Sequence, residues 1–421
     1  MELLCLLVLF TFSAADDLTD APATAKLSRS FISPGTRPSK RLDRWSRLSI
    51  RKLMREKRSR PMTALIPLEY EGSVTADIIF KDDSALPGGS HYRTVFTLLV
   101  QQIRNGNISG DTTVIDYSIG GNSAIALAHF LKLLNVKCVI FLPSDVTVDK
   151  AQKITVLGAV IRRIHPSQLE SSSKLEVSRI AGGFFFNSAG ASAVLNPPED
   201  PELNLFFESS RQLREEENIT SIDYFVSGVS TGSTLRSVSV VAPLSTKVVA
   251  VDSEFSTVYD FLVNGRFQAI SGQSVWRFPG IPGLGAGQIG PLILGRTTSL
   301  SKEMVDETIK VPDVAVVAAM SVLQAKGIDG SPSTAANFVA SLVIASESLS
   351  TDFVTIVTVI DESSAAYIET YLNEAWSKRF FGRHGAKWGF DCWRKVIEDV
   401  VSTGWNPLVT GVDRGCPTGW K

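Results

Sequence analysis

Short apolar runs alternate with amphipathic segments over most of the chain, from about residue 61 to residue 372. The apolar runs are rich in Val and Ile and are bounded by Gly, Ser, Asp or Pro, as buried strands are; they lie at residues 112–116, 136–142, 223–228, 247–252 and 353–360. The segments between them have helical spacing and lie at residues 123–134, 149–158, 203–217, 233–241, 314–326 and 334–349. This alternation predicts an α/β fold with a parallel sheet covered by helices on both faces. Ligands of such sheets bind at the loops that follow the carboxyl ends of the strands.

The first residues do not share this pattern. Residues 1–15 form a short apolar run that ends in Ser13-Ala14-Ala15, which predicts a signal peptide and a secreted protein. A cytosolic chain with an apolar start stays open as the alternative, because the run contains Glu2 and lacks Lys and Arg. The run is too short to cross a bilayer, and no later segment has the roughly 18 apolar residues that a crossing needs, so no membrane span is expected.

Residues 16–60 are predicted to be a basic linker or propeptide. Thirteen Lys or Arg and only two acids, Asp43 and Glu56, lie between residues 26 and 60, so this stretch is not expected to pack into a core. Residues 55–58, Arg-Glu-Lys-Arg, have the form that furin-like proprotein convertases cut. A solvated basic helix is the alternative, because weak amphipathic spacing is given by Trp45, Leu48 and Leu53.

Charge and cysteine content restrict the partners and the compartment. The net charge of −1 gives no overall field that attracts nucleic acid, so no nucleic-acid partner is expected. Past the leader, Cys138 lies in an apolar run and is expected to pack as a small hydrophobe. Cys392 and Cys416 share the Trp-rich tail at residues 376–421, where one disulfide is expected. That tail is either an interface for a protein partner or an extension packed on the main domain.

The chain contains two candidate glycosylation sites. Two Asn-x-Ser/Thr triplets in polar stretches predict glycosylation at Asn107 and Asn218. The spacing of His, Cys and acidic residues suggests no metal site.

Two loops after predicted strands have the residue types of ligand sites. In the first, Gly120 and Gly121 allow backbone amides to approach a ligand just before the helix that starts near Ser123, although a plain strand-to-helix turn has the same residues. The second loop offers amides and hydroxyls to a phosphate, and consists of Ser230, Thr231, Gly232, Ser233 and Thr234. A capped structural helix is the alternative, and no Gly-Lys-Ser/Thr sequence indicates nucleotide hydrolysis.

Seven landmarks in order across residues 61–372 resemble the motifs of one family. Residues 60–68 resemble its T-P-L strand, residues 80–82 resemble its K-x-E, and residues 86–94 resemble its N-P-G-G-S-V-K-D-R. Residues 121–128 resemble its G-N-T-G-I-A-L-A, and residues 142–143 with 157–159 resemble its M-P and A-x-G-A. Residues 227–234 resemble its S-G-I-G-T-G-G-T, residues 281–287 resemble its I-Q-G-I-G-A-G, and residues 333–337 resemble its S-S-G-A-N. The chain thus resembles cysteine synthases and cystathionine β-synthases, which are fold-type II, tryptophan synthase β-like enzymes that use pyridoxal phosphate (PLP). The resemblance implies a core at residues 61–375 with two lobes, each a mainly parallel sheet flanked by helices. The smaller lobe would cover about residues 86–196.

The same resemblance implies roles for the loop residues. PLP would be bound with its phosphate on the loop at Ser230, Thr231, Gly232, Ser233 and Thr234, with its ring hydroxyl near Asn122 and its pyridine nitrogen near Ser333, or near Thr334 if the register slips by one. Gly120, Gly121 and Ser123 would form the substrate loop, in which Ile119 and Gly120 replace the family's Thr and Ser.

The family's Schiff-base lysine is absent. When S-V-K-D-R is aligned from Ser90 onward, the lysine falls on Tyr92, which cannot form an imine with an aldehyde. Tyr92 is expected to fill the vacated volume, no catalytic residue is assigned, and covalent binding of PLP is not expected.

Two functions remain open from the sequence. The first is a secreted, catalytically inactive cysteine synthase-like protein whose cleft binds a small, amino-acid-like or phosphorylated molecule. The second is an active PLP-dependent cysteine synthase that carries out β-replacement on serine or O-acetylserine with Lys81 or another lysine. A homodimer is implied by the family resemblance alone.

Overall fold

Two β-sheets, both mainly parallel, form the framework of the fold. The computed structural model describes residues 42–71, 76–144, 146–191, 201–265, 280–281, 283–285, 294, 296–348, 353–381 and 386–418. Its strands are β1 (Ala64–Pro67), β2 (Ala76–Asp82), β3 (Thr113–Tyr117), β4 (Lys137–Pro143), β5 (Val160–Ile164), β6 (Gly183–Phe185), β7 (Tyr224–Gly228), β8 (Lys247–Ser253), β9 (Glu307–Val311) and β10 (Val354–Ile360).

Helices cover these sheets and connect their strands. They are α1 (Arg44–Arg58), α2 (His91–Arg104), α3 (Asn122–Leu134), α4 (Val148–Val156), α5 (Leu169–Arg179), α6 (Ser188–Ala191), α7 (Leu205–Glu216), α8 (Ser233–Ser239), α9 (Val258–Asn264), α10 (Asp313–Ala325), α11 (Pro332–Glu347), α12 (Glu374–Phe380), α13 (Ala386–Thr403) and α14 (Pro407–Asp413). Short 3₁₀ turns lie at Pro166–Gln168, Pro201–Leu203, Lys302–Met304 and Ser364–Tyr367. Among the helices described, none is both long and apolar enough to cross a membrane.

The strand order confirms the predicted α/β class. The six-stranded sheet runs β1-β2-β10-β7-β8-β9, and β1 alone is antiparallel to its neighbour. The four-stranded sheet runs β5-β4-β3-β6 and is parallel throughout. All four of its strands fall between residues 113 and 185, inside the span assigned to the smaller lobe, and the larger sheet is built from strands on both sides of that span.

Helices α10 and α11 form the centre of the larger core. Both are apolar around most of their circumference, as helices buried on all sides are. On the outer side they are covered by α13, whose Trp393 and Val396 are fully buried in the same cluster. Cys392 and Cys416 form a disulfide in this region, and the Trp393 indole donates a hydrogen bond to the Pro417 carbonyl at 2.9 Å. This part of the tail is therefore packed on the main domain, while Trp388 and Trp405 are exposed.

The basic segment contains a helix, α1, that packs against α2 and α3. The expectation that residues 26–60 do not pack into a core is wrong for Arg44–Arg58, because Leu53 is fully buried in a cluster with side chains of α2 and α3. Asp43 caps the helix, and its carboxylate accepts a hydrogen bond from the Ser46 amide at 2.7 Å. The high charge hides a regular pattern in which small or apolar residues recur on one face. Cleavage after Arg58 stays a prediction.

Other features of the sequence can be placed only in part. Asn107 and Asn218 are both exposed, and their glycosylation stays a prediction. Cys138 is a buried free thiol. The predicted signal peptide at residues 1–15, the segment 16–41, and residues 282 and 286–287 of the sixth landmark lie outside the described residues.

Candidate functional site

Two adjoining cavities lie at the carboxyl ends of the central strands and share His91, Thr231 and Ser233. The larger, here the β7 cavity, encloses about 480 Å³ including its open mouth and is bordered by the loop after β7, the start of α11 and the end of β10. The smaller, here the β3 cavity, encloses about 320 Å³ and is bordered by the end of β3, the start of α3 and α6. Both lie where the parallel-sheet rule locates ligands.

The predicted phosphate loop borders the β7 cavity along its whole length. The lining residues include Ser230, Thr231, Gly232, Ser233 and Thr234. Gly232 has φ +77°, and a Cβ there would lie 2.3 Å from Leu300 Cγ, so this position requires glycine. The Ser299 amide donates to the Thr231 carbonyl at 2.8 Å and holds the loop in place.

Ser333 closes the opposite end of the β7 cavity. Its hydroxyl donates to Asp361 Oδ1 at 2.8 Å, and the Ser331 hydroxyl donates to the same oxygen at 3.0 Å. Burial, with the neighbouring charge of Glu362, raises the pKa of Asp361. Thr334 does not line the cavity, and its amide contacts the Ser331 hydroxyl at the helix cap, so Ser333 rather than Thr334 is the residue of this motif that a ligand would meet.

Two buried polar atoms of the β7 cavity have no hydrogen-bond partner. These are Ser90 Oγ and Asn337 Oδ1, on side chains 4% and 2% exposed. Unpartnered buried acceptors and donors are uncommon and costly in folded proteins. A polar ligand in the cavity would satisfy both atoms, and sequence reasoning assigned a role to neither residue.

His91, and not the predicted Tyr92, is the residue of this motif that faces the cleft, while the alignment of the family's lysine with Tyr92 stays a prediction. His91 begins α2 and borders both cavities. Tyr92 lines neither, because the next residue of a helix points about 100° away. When the motif is aligned at Arg93 instead of Ser90, the family's lysine coincides with His91. Burial lowers the pKa of His91 to about 4, which keeps the imidazole neutral near pH 7.

Tyr92 points away from the cleft and into the contact of α2 with α1 and α3. Its ring packs 4.8 Å from that of Phe130, and its hydroxyl donates to Glu56. Glu56 also contacts His129 Nε2 at 3.0 Å and pairs with Arg60. Burial disfavours the Glu56 charge, but the hydrogen bonds from His129, Tyr92 and Arg60 outweigh it and lower the Glu56 pKa to about 2.

Arg93 fixes the first turn of α2 from the side opposite the cavities. Its guanidinium forms a two-pronged ion pair with Asp83, at 2.8 and 2.9 Å, and contacts Glu208 at 2.7 Å. Glu208 in turn lies 2.6 Å from Lys81 Nζ. Lys81 is fully buried in this network and lines neither cavity, so it is not placed to react with a ligand in the cleft.

Polar groups of the predicted substrate loop form hydrogen bonds within the protein. The Gly121 amide donates to Ser118 Oγ at 3.1 Å, and that hydroxyl shares a hydrogen bond with Ser123. Ser123 lines the β3 cavity, whereas Gly120 and Gly121 do not. Asn122, the predicted ring-hydroxyl contact, is buried at the start of α3 and is not among the residues that line either cavity.

Lys150 lies behind the substrate loop. Its Nζ donates to the Gly120 carbonyl at 2.9 Å, forms an ion pair with Glu362 at 2.9 Å and donates to the Tyr367 hydroxyl at 3.3 Å. Its charge influences the His91 imidazole. Lys150 is therefore the lysine that the described part of the chain brings to the back of the cleft, and sequence reasoning assigned it no role.

Comparisons with known proteins agree with this architecture. A family model described as "Pyridoxal-phosphate dependent enzyme" matches residues 58–360. The chain is 31% identical to a pyridoxal-phosphate dependent protein of Caenorhabditis elegans over 442 aligned residues, which cover all of both chains. It is 25% identical to an L-cysteine desulfhydrase of Mycobacterium tuberculosis, over 74% of this chain and 82% of that enzyme.

Solved structures show the same fold. Cysteine synthase from Entamoeba histolytica matches with a TM-score of 0.58 at 22% identity, over 80% of this chain and 93% of the other. The O-acetylserine dependent cystathionine β-synthase from Helicobacter pylori matches with a TM-score of 0.57 at 19% identity, over 74% and 95%. The two-sheet fold, the loops around the cleft and the match over residues 58–360 show that the chain belongs to the family of pyridoxal-phosphate dependent enzymes of fold type II, for which PLP is the cofactor.

Proposed function

We propose that this chain is a non-catalytic member of its family that binds PLP, or a similar phosphorylated aromatic molecule, without a covalent bond to lysine. The observation that carries the proposal is that His91 borders both cavities, while no lysine is among the described residues that line them. An imidazole cannot form an imine with an aldehyde, and His91 has a lowered pKa that keeps it uncharged.

The residues around the β7 cavity fit a phosphorylated aromatic ligand. The loop at residues 230–234 offers backbone amides and hydroxyls for a phosphate, and Ser333 lies across the cavity for a ring nitrogen. Ser90 Oγ and Asn337 Oδ1 are free to bond polar groups of the same ligand. When bound to a lysine, PLP supplies an electron sink for amino-acid chemistry. Here the described lining residues would position the ligand, and no lysine amine is among them for that bond.

Binding and covalent attachment can be separated experimentally. The purified full chain is titrated with PLP by equilibrium dialysis, then treated with borohydride and digested for mass spectrometry. We expect saturable binding with no lysine adduct. His91→Lys should give a borohydride-stable adduct at residue 91, and Gly232→Val should abolish binding because its side chain would collide with Leu300. A stoichiometric adduct on any lysine of the unaltered chain would falsify the proposal.

A second candidate is an active β-replacing enzyme that uses Lys150. Its support is the position of Lys150 Nζ against the Gly120 carbonyl, behind the substrate loop. The ion pair with Glu362 and the bond to Tyr367 hold the amine in place and oppose its release. Turnover of O-acetylserine with sulfide that is lost in Lys150→Ala and kept in Lys153→Ala, an exposed lysine on the same helix, would favour this candidate.

We propose further that the protein is secreted. The predicted leader, the exposure of Asn107 and Asn218, and the disulfide between Cys392 and Cys416 support this location. Expression of the full chain in cultured animal cells tests it: the protein should accumulate in the medium and shift in mass on glycosidase treatment. Retention of the unglycosylated chain in the cytosol would contradict it.

A further inference from the structure

The outward face of α1 forms a single row of arginines. This row, here the arginine stripe, consists of Arg44, Arg47, Arg51, Arg55 and Arg58, all of which are exposed. Successive members are three or four residues apart, so at about 100° per residue they fall within an arc of about 80° and extend over about 21 Å of helix. Exposed Lys52 lies beside the row.

Few acids lie along the helix, and Asp43, which caps it, interacts electrostatically with Arg47 at the N-terminal end of the row. The single acid within α1 is Glu56, and it faces inward to bond Tyr92 and His129. Neighbouring positions at this spacing lie about 5–6 Å apart, which is less than the screening length of about 8 Å in physiological salt, so their fields add. On α13, by contrast, exposed cations pair with acids, as in the Arg394–Glu398 and Lys395–Asp399 pairs.

The stripe is held rigid by the packing of the inward face. Leu53 is fully buried, and Glu56 ties α1 to α2 and α3 through Tyr92 and His129. A row of charges on a docked helix is preorganised, because little conformational freedom of the backbone is lost when a partner binds. Like charges at this spacing weaken a helix, and folding alone gives no reason to align five of them.

We propose that the arginine stripe is a binding site for a linear sulfated polysaccharide. Guanidinium groups bind paired oxyanion atoms well, and a straight row of them fits a chain with regularly repeated negative charges. A bilayer fits less well, because the apolar face of α1 is covered by α2 and α3 and cannot insert. The predicted signal peptide favours an extracellular polyanion over nucleic acid. No residue of α1 lines the two cavities, and the proposal does not depend on the function of the cleft.

The test compares two variants of the full chain with the same loss of charge. One removes part of the stripe by Arg51→Gln, Arg55→Gln and Arg58→Gln. The control carries Arg179→Gln, Arg394→Gln and Arg414→Gln, three exposed arginines that each have an acidic partner. Glutamine keeps the helix propensity close to that of arginine. Circular dichroism melting checks that all three proteins are folded. Binding to size-defined heparin is measured by calorimetry between about 0.05 and 0.3 M salt, a range over which the screening length falls below the spacing at which neighbouring charges act together.

The stripe variant should bind heparin about tenfold or more weakly than the unaltered chain in physiological salt, with a shallower salt dependence, and the control should bind as the unaltered chain does. Equal losses in both variants, or no binding by the unaltered chain, would overturn the proposal. Tighter stripe-dependent binding to 20-base-pair DNA, or to vesicles of phosphatidylcholine and phosphatidylserine, than to heparin would also overturn it in favour of a different polyanion.

Discussion

The two sides of the first turn of α2 differ in how fully their polar groups are bonded. On the side of the cleft, Ser90 Oγ has no partner, and the half-buried His91 has a pKa lowered to about 4. On the other side, Arg93 is surrounded by Asp83 and Glu208, and the Tyr92 hydroxyl donates to Glu56. A fully bonded group needs nothing further and stabilises the fold, whereas a buried group without partners points to a ligand. Within one helix turn, Tyr92 and Arg93 therefore stabilise the fold, while Ser90 and His91 face the candidate ligand site.

The largest change in the free energy of unfolding is expected when the ion pairs of Arg93 are removed. Arg93→Met should lower the free energy of unfolding by about 3–5 kcal/mol, because it leaves the carboxylates of Asp83 and Glu208 buried with one cation fewer. Urea unfolding followed by circular dichroism measures this change. The control is Arg394→Met, whose exposed ion pair with Glu398 should be worth less than about 1 kcal/mol. Equal costs in the two variants would show that the Arg93 network contributes no more than a surface pair.

Glu56 provides the second test of the bonded side, through pH. Its folded pKa of about 2 lies below its ordinary value of 4.5, so its stabilising contribution is full above pH 4.5 and is lost as the pH falls toward 2. Glu56→Gln should therefore cost about 2 kcal/mol at pH 7 and almost nothing at pH 2. Urea unfolding across this range checks it, with Glu170→Gln, a partly exposed partner of the exposed Lys174, as the control. A cost that stays constant with pH would contradict the role given to the carboxylate charge.

The sequence predicted the elements of strong periodicity and missed those of weak or masked periodicity. Strand β10 and helix α11 lie within about two residues of their predicted bounds, because long apolar runs leave little choice. Strand β5 was missed since Val160–Ile164 is an edge strand with two arginines and mostly outward side chains. Helix α1 was predicted only as a solvated alternative, because its charge outweighed the regular burial of Ser46, Ser49 and Leu53.

The loops of the candidate site could be predicted from the sequence, but the residue of α2 that faces the cleft could not. The phosphate loop and Ser333 follow from short motifs that lie at fixed points after strands, and both line the β7 cavity. The choice between His91 and Tyr92 depends on which residue begins α2 and on the packing of α1, which no local motif contains. The roles of Lys150 and Asn337 depend on contacts between segments more than 100 residues apart, as between Lys150 and Glu362.

On the cleft side, His91 should make the protein less stable in mild acid. Its folded pKa of about 4 lies below its ordinary value of 6.5, so the unfolded chain binds a proton more readily and stability falls as the pH drops from 6.5 to 4. Because the imidazole borders the cavity, water moderates the effect, and we expect about 1–2 kcal/mol. Urea unfolding at pH 7 and at pH 4 measures the fall in the free energy of unfolding, and His91→Gln should make that fall smaller by this amount. The same slope in both proteins would mean that His91 is solvated.

The smallest effect distinguishes the two sides most directly. Ser90→Ala should change the free energy of unfolding by less than about 0.5 kcal/mol, because Ser90 Oγ has no hydrogen bond to lose. Ser173 is the matched control, since it is equally buried but its hydroxyl donates to the Leu169 carbonyl at 2.7 Å, and Ser173→Ala should cost about 1 kcal/mol. With PLP the order should reverse: Ser90→Ala should weaken binding severalfold in dialysis and Ser173→Ala should leave it unchanged. A Ser90 variant that loses stability but binds PLP normally would place Ser90 with the bonded, structural side of α2.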